Sequence, residues 1–251
     1  MSKLNNKIAV VTGGNSGIGL ATAKRFAAEG AKVIITGRRQ EATDEAVASI
    51  GAAASGIVAD AANLADTDRM MEQIRQEHGR IDVLFVNAGV APMASLAETD
   101  EASFDQVFGI NVKGLYFTLQ KALPLLSSGA SVILNASVVQ KFGFPGMSAY
   151  AASKAAVRSI GQTAAAELAH LGIRVNLLSP GPIETPIYEK MGLPQEAADA
   201  MGQKLATSIP LGRFGTPDEM ANVALFLASD ESSYITGSDI QADGGTTQAF
   251  S

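Results

Sequence analysis

Ile8-Ala9-Val10-Val11-Thr12-Gly13-Gly14-Asn15-Ser16-Gly17-Ile18-Gly19 is the stretch that decides the fold. Its apolar start is rich in β-branched residues and predicts a strand. A glycine-rich turn follows, and Ile18 to Glu29 is alanine-rich with helical period, closed by Gly30. A strand, a tight turn and a helix bring unpaired N–H groups and the positive end of the helix dipole to one point, which suits a pyrophosphate. The glycines at 13, 17 and 19 depart from G-x-G-x-x-G spacing. They meet the same need, because the backbone must approach the phosphate closely.

The alternation continues outward from this unit. Lys32 to Thr36 reads as a strand, Glu41 to Ile50 as a helix, Gly56 to Ala59 as a strand, Leu64 to Glu77 as a helix and Ile81 to Val86 as a strand. Phe104 to Leu126 reads as one long helix that Pro124 ends or bends. Ser131 to Asn135 is a strand, Ala149 to His170 a helix and Ile173 to Leu178 a strand. Pro217 to Ala228 is a helix with Thr216 as N-cap and Pro217 in its first turn, and Asp239 to Gln241 is a last short strand. Continuously apolar strands alternating with helices predict a single-domain α/β fold: a doubly wound parallel sheet covered on both faces, binding ligands beyond the carboxyl ends of its strands. One domain over 1–251 is expected, with the irregular section at about 180–211 as a lid over the substrate.

Composition removes several function classes. There is no cysteine, so disulfides, thiolate metal sites and cysteine nucleophiles are excluded, and two histidines cannot build a multi-histidine metal centre. A net charge of −6 without a basic run argues against nucleic-acid binding. No apolar run reaches signal-peptide or membrane-span length, so a soluble cytoplasmic protein is expected.

The ends of the strands carry the candidate chemistry. After the second strand, Gly37 stands where an NAD-binding fold offers an acidic residue to the adenosine ribose, and Arg38-Arg39 follow. A guanidinium there holds a 2′-phosphate through charge-assisted bonds of about 1.5–3 kcal/mol each, which favours NADP and leaves NAD use open. Asp60 is expected to end strand three and accept from an adenine amino group. Asn87-Ala88-Gly89 ends strand four, where small residues let the backbone pass the adenosine. Ser137 follows strand five; its hydroxyl both donates and accepts. Asn111 interrupts an apolar helix, where asparagine is disfavoured, and asks for a reason. Tyr150 and Lys154 lie one helical turn apart on one face. An ammonium about 4 Å from the phenol contributes about 4 kcal/mol in favour of phenolate, roughly three pKa units, so Tyr150 is expected to titrate near neutrality.

Thr12-Gly13-x-x-x-Gly17-x-Gly19, Asn87-Ala88-Gly89, Asn111, Ser137, Tyr150-x-x-x-Lys154 and Pro180-Gly181, in that order, resemble the short-chain dehydrogenase/reductase family over essentially the whole chain. The resemblance implies a Rossmann-type fold with a seven-stranded parallel sheet, a homotetramer and a catalytic tetrad of Asn111, Ser137, Tyr150 and Lys154. In that scheme Tyr150 is the general acid/base and Ser137 positions the substrate oxygen. Lys154 lowers the tyrosine pKa and binds the nicotinamide ribose, and Asn111 anchors a proton-relaying water. The resemblance also implies that Gly13, Asn15, Ser16, Gly17, Ile18 and Gly19 hold the pyrophosphate. The segment from Pro180 and Gly181 to Thr185 would then meet the nicotinamide, with the Ile183 backbone and the Thr185 hydroxyl as carboxamide contacts, and Asp243-Gly244-Gly245 would close the chain near subunit contacts. Three positions depart from the family pattern. Val86 stands before Asn87 where a second asparagine is common, Ala136 precedes Ser137, and neither Asn15 nor Ser16 is basic as in many NADP-dependent members. Arg38 must therefore carry most of the 2′-phosphate discrimination.

Phe142, Phe144, Met147, Tyr188, Met191, Leu193, Met201 and Leu205 are expected to line a hydrophobic substrate pocket. The expected reaction interconverts a small-molecule ketone and a secondary alcohol. A 3-oxoacyl-[acyl-carrier-protein] reductase is the nearest rival, although Leu125 to Gly129 offers no basic docking cluster. A sugar (glucose) 1-dehydrogenase is another. A non-catalytic NADP-binding redox sensor is disfavoured, because such proteins typically lack the tyrosine–lysine pair.

Overall fold

The computed structural model describes residues 2–185, 202 and 205–249. Tyr188, Met191, Leu193 and Met201, expected in the pocket wall, lie outside the described residues, as does most of the expected lid.

Seven strands form one sheet. They are β1 (Ile8–Val11), β2 (Lys32–Gly37), β3 (Ala54–Val58), β4 (Ile81–Val86), β5 (Leu126–Asn135), β6 (Arg174–Pro180) and β7 (Asp239–Ala242). Their order is β3-β2-β1-β4-β5-β6-β7, and every pairing is parallel. The chain winds outward from β1 to β3, then returns to place β4 on the other side of β1. That reversal opens a crevice above the carboxyl ends of β1 and β4, the usual ligand position in such sheets.

Helices α1 (Gly17–Ala28), α2 (Gln40–Ile50) and α7 (Pro217–Ala228) cover one face. Helices α3 (Leu64–His78), α5 (Leu115–Ala122) and α6 (Ser148–Leu168) cover the other. Alternate strand residues divide between the two cores: Val10 and Leu84 pack toward α3, α5 and α6, whereas Val11 and Phe85 pack toward α1, α2 and α7. Filling both faces is why these strands read as unbroken apolar runs. Each fully buried Leu, Ile or Phe contributes about 1.5–3 kcal/mol, so the sheet centre is the stable base on which its loop ends are carried.

Thr216 caps α7 as anticipated: its hydroxyl accepts from the Glu219 amide, and the Glu219 carboxylate accepts from the Thr216 amide. The long helix predicted over Phe104 to Leu126 is not one regular helix. Helix α4 (Glu101–Phe108) runs into a π-helical segment, Gly109–Gly114, before α5, and a 3-10 turn at Leu123–Leu125 precedes β5. Pro124 lies in that last turn, where the regular helix ends as its missing N–H requires. β5 begins at Leu126, earlier than the apolar pattern indicated, because Leu126 pairs with Ile81 before a register shift.

Candidate active site

A cleft of about 900 Å3 opens over the carboxyl ends of the strands. Its floor at β1 is the glycine turn. Gly13 has φ +63°, and a Cβ on Gly19 would stand 2.2 Å from the Gly13 carbonyl oxygen, so neither position admits a side chain without rebuilding the turn. Ser16 is the N-cap of α1 but makes no side-chain cap bond, so the turn presents N–H groups for an anion. Gly13, Asn15, Ser16, Gly17 and Ile18 all line the cleft.

Arg38 and Arg39 line the cleft where β2 ends, and both are exposed. A Cβ at Gly37 would lie 2.3 Å from Asn15 Nδ2 and 2.7 Å from Thr43 Oγ1, so a side chain there would have to displace those polar ends. Asp60 lines the cleft but does not end β3, which stops at Val58; its carboxylate accepts from the Ala62 amide, a short local turn. Asn87, Ala88 and Gly89 follow β4 along the cleft wall. Thr185 also lines it, with its Cγ2 3.4 Å from where a Gly17 Cβ would stand. Pro180, Gly181 and Ile183 are not among the lining residues: the Ile183 side chain is buried in the core against α7, and Gly181 backs onto Asp243. Asp243 folds the closing turn itself, accepting from the Gly245 and Thr247 amides.

At the inner end of the cleft, Ser137 caps the turn after β5, its hydroxyl accepting from the Val139 amide at 3.4 Å, and it acts on the Tyr150 phenol in the direction that lowers its pKa. Tyr150 and Lys154 share one face of α6, with Lys154 Nζ 5.7 Å from the centre of the tyrosine ring. Lys154 donates to the Asn135 carbonyl at 2.7 Å, its protein acceptor among the described residues. An ammonium has three N–H donors, so it keeps hydrogen-bonding capacity toward the cleft.

Asn111 is 1% exposed and its amide makes three hydrogen bonds. Oδ1 accepts from the Val90 amide at 2.9 Å, and Nδ2 donates to the Val90 carbonyl at 2.9 Å and to Ser153 Oγ at 3.1 Å. Ser153 in turn donates to the Tyr150 carbonyl at 2.7 Å. The disfavoured asparagine thus has its reason. It clamps the loop after β4 to the helix turn that carries Tyr150, and it does so from the π-helical segment, a feature frequent at functional sites. Both Nδ2 hydrogens are engaged, so a water anchored by the Asn111 side chain would donate to the second lone pair of Oδ1.

Charge in the site differs from the expectation. Burial pushes the Tyr150 phenol above its ordinary value, and Ser137 pulls it only part of the way back. Although the Tyr150 side chain keeps some surface in the cleft, protein packed around it governs the direction. The anticipated depression by Lys154 is absent, since the ammonium is drawn to Asn135 rather than to the phenol oxygen. Burial also pushes Lys154 down to about 8.

Thr12, Val90, Asn135 and Ser153 take part in the site although the motifs did not assign them roles. Thr12 Oγ1 accepts from the Asn87 and Ala88 amides at 2.9 and 3.1 Å. Asn135 carried a usable signal: a polar residue closing an apolar strand, like Asn87 on the neighbouring strand. Among the described residues no cluster of His, Asp or Glu could hold a metal ion, and no helix is long and apolar enough to cross a membrane.

Comparison with known proteins agrees with this geometry. A family model described as enoyl-(acyl carrier protein) reductase matches residues 13–247. The chain is 43% identical to oxidoreductase asL5 of Sarocladium schorii, over 99% of this chain and 98% of that protein. It is 42% identical to the 3-oxoacyl-[acyl-carrier-protein] reductase FabG of Thermotoga maritima, over 97% and 98%. It is 38% identical to galactitol 2-dehydrogenase of Agrobacterium fabrum, over 97% and 98%. The similarity to these relatives over nearly the whole chain and the family match over residues 13–247, together with a doubly wound sheet, a glycine turn at its switch point and a serine–tyrosine–lysine cluster above it, place the protein in the short-chain dehydrogenase/reductase family of NAD(P)-dependent oxidoreductases.

Proposed function

We propose that the protein interconverts a hydrophobic ketone and its secondary alcohol, with NADP(H) preferred over NAD(H). The observation that carries this reading is Tyr150 on the cleft wall with Lys154 one turn along the same helix face, and Ser137 in the turn that acts on the phenol. The residues fit a dinucleotide. The turn at Gly13 to Gly19 admits a phosphate only because no Cβ fills it, and Lys154 has unused donors for a ribose hydroxyl. The dinucleotide, when bound, supplies or accepts the hydride at the carbonyl carbon.

Everything else is the work of the chain. Ser137 donates to the carbonyl oxygen and holds it against Tyr150. Tyr150, kept protonated at neutral pH by its burial, gives its proton to that oxygen as the alkoxide forms. Lys154, mostly protonated at neutral pH, stabilises the phenolate left behind. In the oxidative direction Tyr150 must begin as phenolate, so oxidation gains with rising pH. Asn111 and Ser153 hold the geometry.

Arg38 supports the NADP preference: an exposed guanidinium stands at the cleft edge, beside Gly37, which offers no carboxylate. Phe142, Phe144 and Met147, expected in the pocket wall, precede Tyr150 in the chain but are not among the residues that line the cleft. Met93 comes within 3.3 Å of where a Gly146 Cβ would stand, and the Ala94 amide donates to the Gly146 carbonyl. The apolar character of this turn is what favours ketones over free sugars in the proposal. The relative named as a 3-oxoacyl-[acyl-carrier-protein] reductase keeps a second reading in view, reduction of a 3-oxoacyl thioester.

A homotetramer is part of the proposal. Helices α5 and α6 bound a groove of about 250 Å3 among Tyr116, Leu119, Leu123 and Ile160, with Tyr116 49% exposed. The test of function is a screen of nicotinamide absorbance with NADPH and NADH separately, against ketones, 3-oxoesters and sugars. Turnover of ketones with NADPH is expected. No turnover of any carbonyl class with either cofactor refutes the reading, and a preference for NADH refutes its cofactor half.

A further inference from the structure

Asn135 occupies the end of β5, between the phosphate-binding turn and the catalytic helix, and it is bonded toward both. Its Nδ2 donates to Asn87 Oδ1 at 2.9 Å. Asn87 Nδ2 donates onward to the Thr12 and Gly13 carbonyls at 3.1 and 3.2 Å. The Asn135 main-chain carbonyl accepts from Lys154 Nζ at 2.7 Å. A continuous line of hydrogen bonds therefore runs from the glycine turn, through two asparagines, to the lysine ammonium.

The direction of this line is set by chemistry. Two carbonyls can only accept, so the end of Asn87 that meets them must be its NH2 group. Its Oδ1 then faces Asn135, which must answer with its own NH2. That leaves Asn135 Oδ1 pointing away, and this atom is buried without a hydrogen-bond partner. An unpaired buried acceptor is costly. The arrangement gives up one acceptor at Asn135 to keep Asn87 locked beneath the turn, where Asn87 Nδ2 lies 2.6 Å from the place a Gly19 Cβ would take. Lys154 loses hydration in the same region and has the Asn135 carbonyl as its protein acceptor among the described residues.

We propose that Asn135 is a positioning residue that couples the Lys154 ammonium to the phosphate-binding turn, so that the two ends of the dinucleotide site keep one geometry. It acts through Asn87 on one side and Lys154 on the other, and it transfers no proton itself. The inference rests on the reading of the cleft as the NADP(H) site.

The test is NADPH binding, followed by the change in nucleotide fluorescence without substrate, for wild type, Asn135→Ala, Asn135→Leu, Asn87→Ala and the double alanine variant. Folding of each is checked by its thermal melt. Asn135→Leu keeps the branching and heavy-atom count of asparagine, with a somewhat larger volume, but makes no hydrogen bond, and it serves as the binding test if Asn135→Ala does not fold. Loss of the bond should raise the NADPH Kd about tenfold in both Asn135 variants. The double variant should bind no worse than Asn87→Ala alone, because both changes break one line. A Kd within about twofold of wild type in a folded Asn135 variant overturns the coupling. So does a double variant whose losses multiply, or an Asn135→Leu variant that restores what alanine loses, which would mean a space-filling role. Wild-type protein that binds neither NADPH nor NADH refutes the cofactor reading of the cleft instead; wild-type binding with unaltered variants refutes only the coupling.

Discussion

Replacing Lys154 with methionine should make the protein more stable and nearly inactive. Lys154 is 4% exposed, and burial pushes its ammonium from 10.5 down to about 8. At about 1.4 kcal/mol per pKa unit, that shift is worth about 3 kcal/mol against the folded state wherever both states carry the proton. The sign follows from proton counting. Below a pH of about 8 the folded and unfolded chains both hold the proton, and the full penalty is present. Between about 8 and 10.5 the folded protein releases its proton first, so the unfolded chain binds more protons and stability rises with pH. Methionine keeps the length and removes the charge, but it forfeits the hydrogen bond to Asn135, worth about 1 kcal/mol. The net expectation is a gain of about 2 kcal/mol at a pH of about 7, shrinking to about zero near 9.5, where the penalty has fallen to about 1 kcal/mol. Urea unfolding of wild type and Lys154→Met at the two pH values reads the difference directly. A variant less stable than wild type at neutral pH, or a difference that does not change with pH, refutes the argument that the buried ammonium is held at a cost. Such a cost is ordinary at a functional site, where stability is traded for chemistry.

The other predictions concern the same cleft. Tyr150→Phe should lower kcat by roughly a thousandfold while NADPH binds as before; turnover near the wild-type rate would remove Tyr150 from the proton transfer. Arg38→Ala should cut the NADPH-over-NADH preference in kcat/KM roughly tenfold or more, through loss of charge-assisted bonds, and an unchanged ratio would dismiss that arginine as the discriminator. Gly19→Ala should abolish binding of either dinucleotide, because its Cβ would stand 2.2 Å from the Gly13 carbonyl; a folded variant with normal Kd would show that the turn is not the phosphate seat. Because burial raises the Tyr150 phenol, alcohol oxidation should still be gaining with pH above neutrality, and a flat profile with chemistry rate-limiting would contradict a tyrosine base.

The sequence by itself determined the architecture and singled out Tyr150 and Lys154 as neighbours on one helix face. Continuous apolar strands and periodic helices are local patterns, so the alternation from Ile8 to Gln241 predicted a parallel sheet. Tyr150 and Lys154 meet because helical spacing alone brings residues four apart to one face. The tertiary structure decided how those groups behave. The tyrosine expected to be acidified by its neighbour is raised by burial, since desolvation depends on every element packed around the phenol and the lysine is drawn to Asn135. Asn111 was visible as an anomaly, but its reason lies in Ser153, 42 residues away in the chain, and in the π-helical turn that aims its amide. Asn135 acquires its place only when β5 is laid beside β4 with Leu134 opposite Val86, bringing its side chain to Asn87 across 48 residues. Periodicity is written along the chain, whereas burial and the direction of a hydrogen bond exist only between segments that folding brings together.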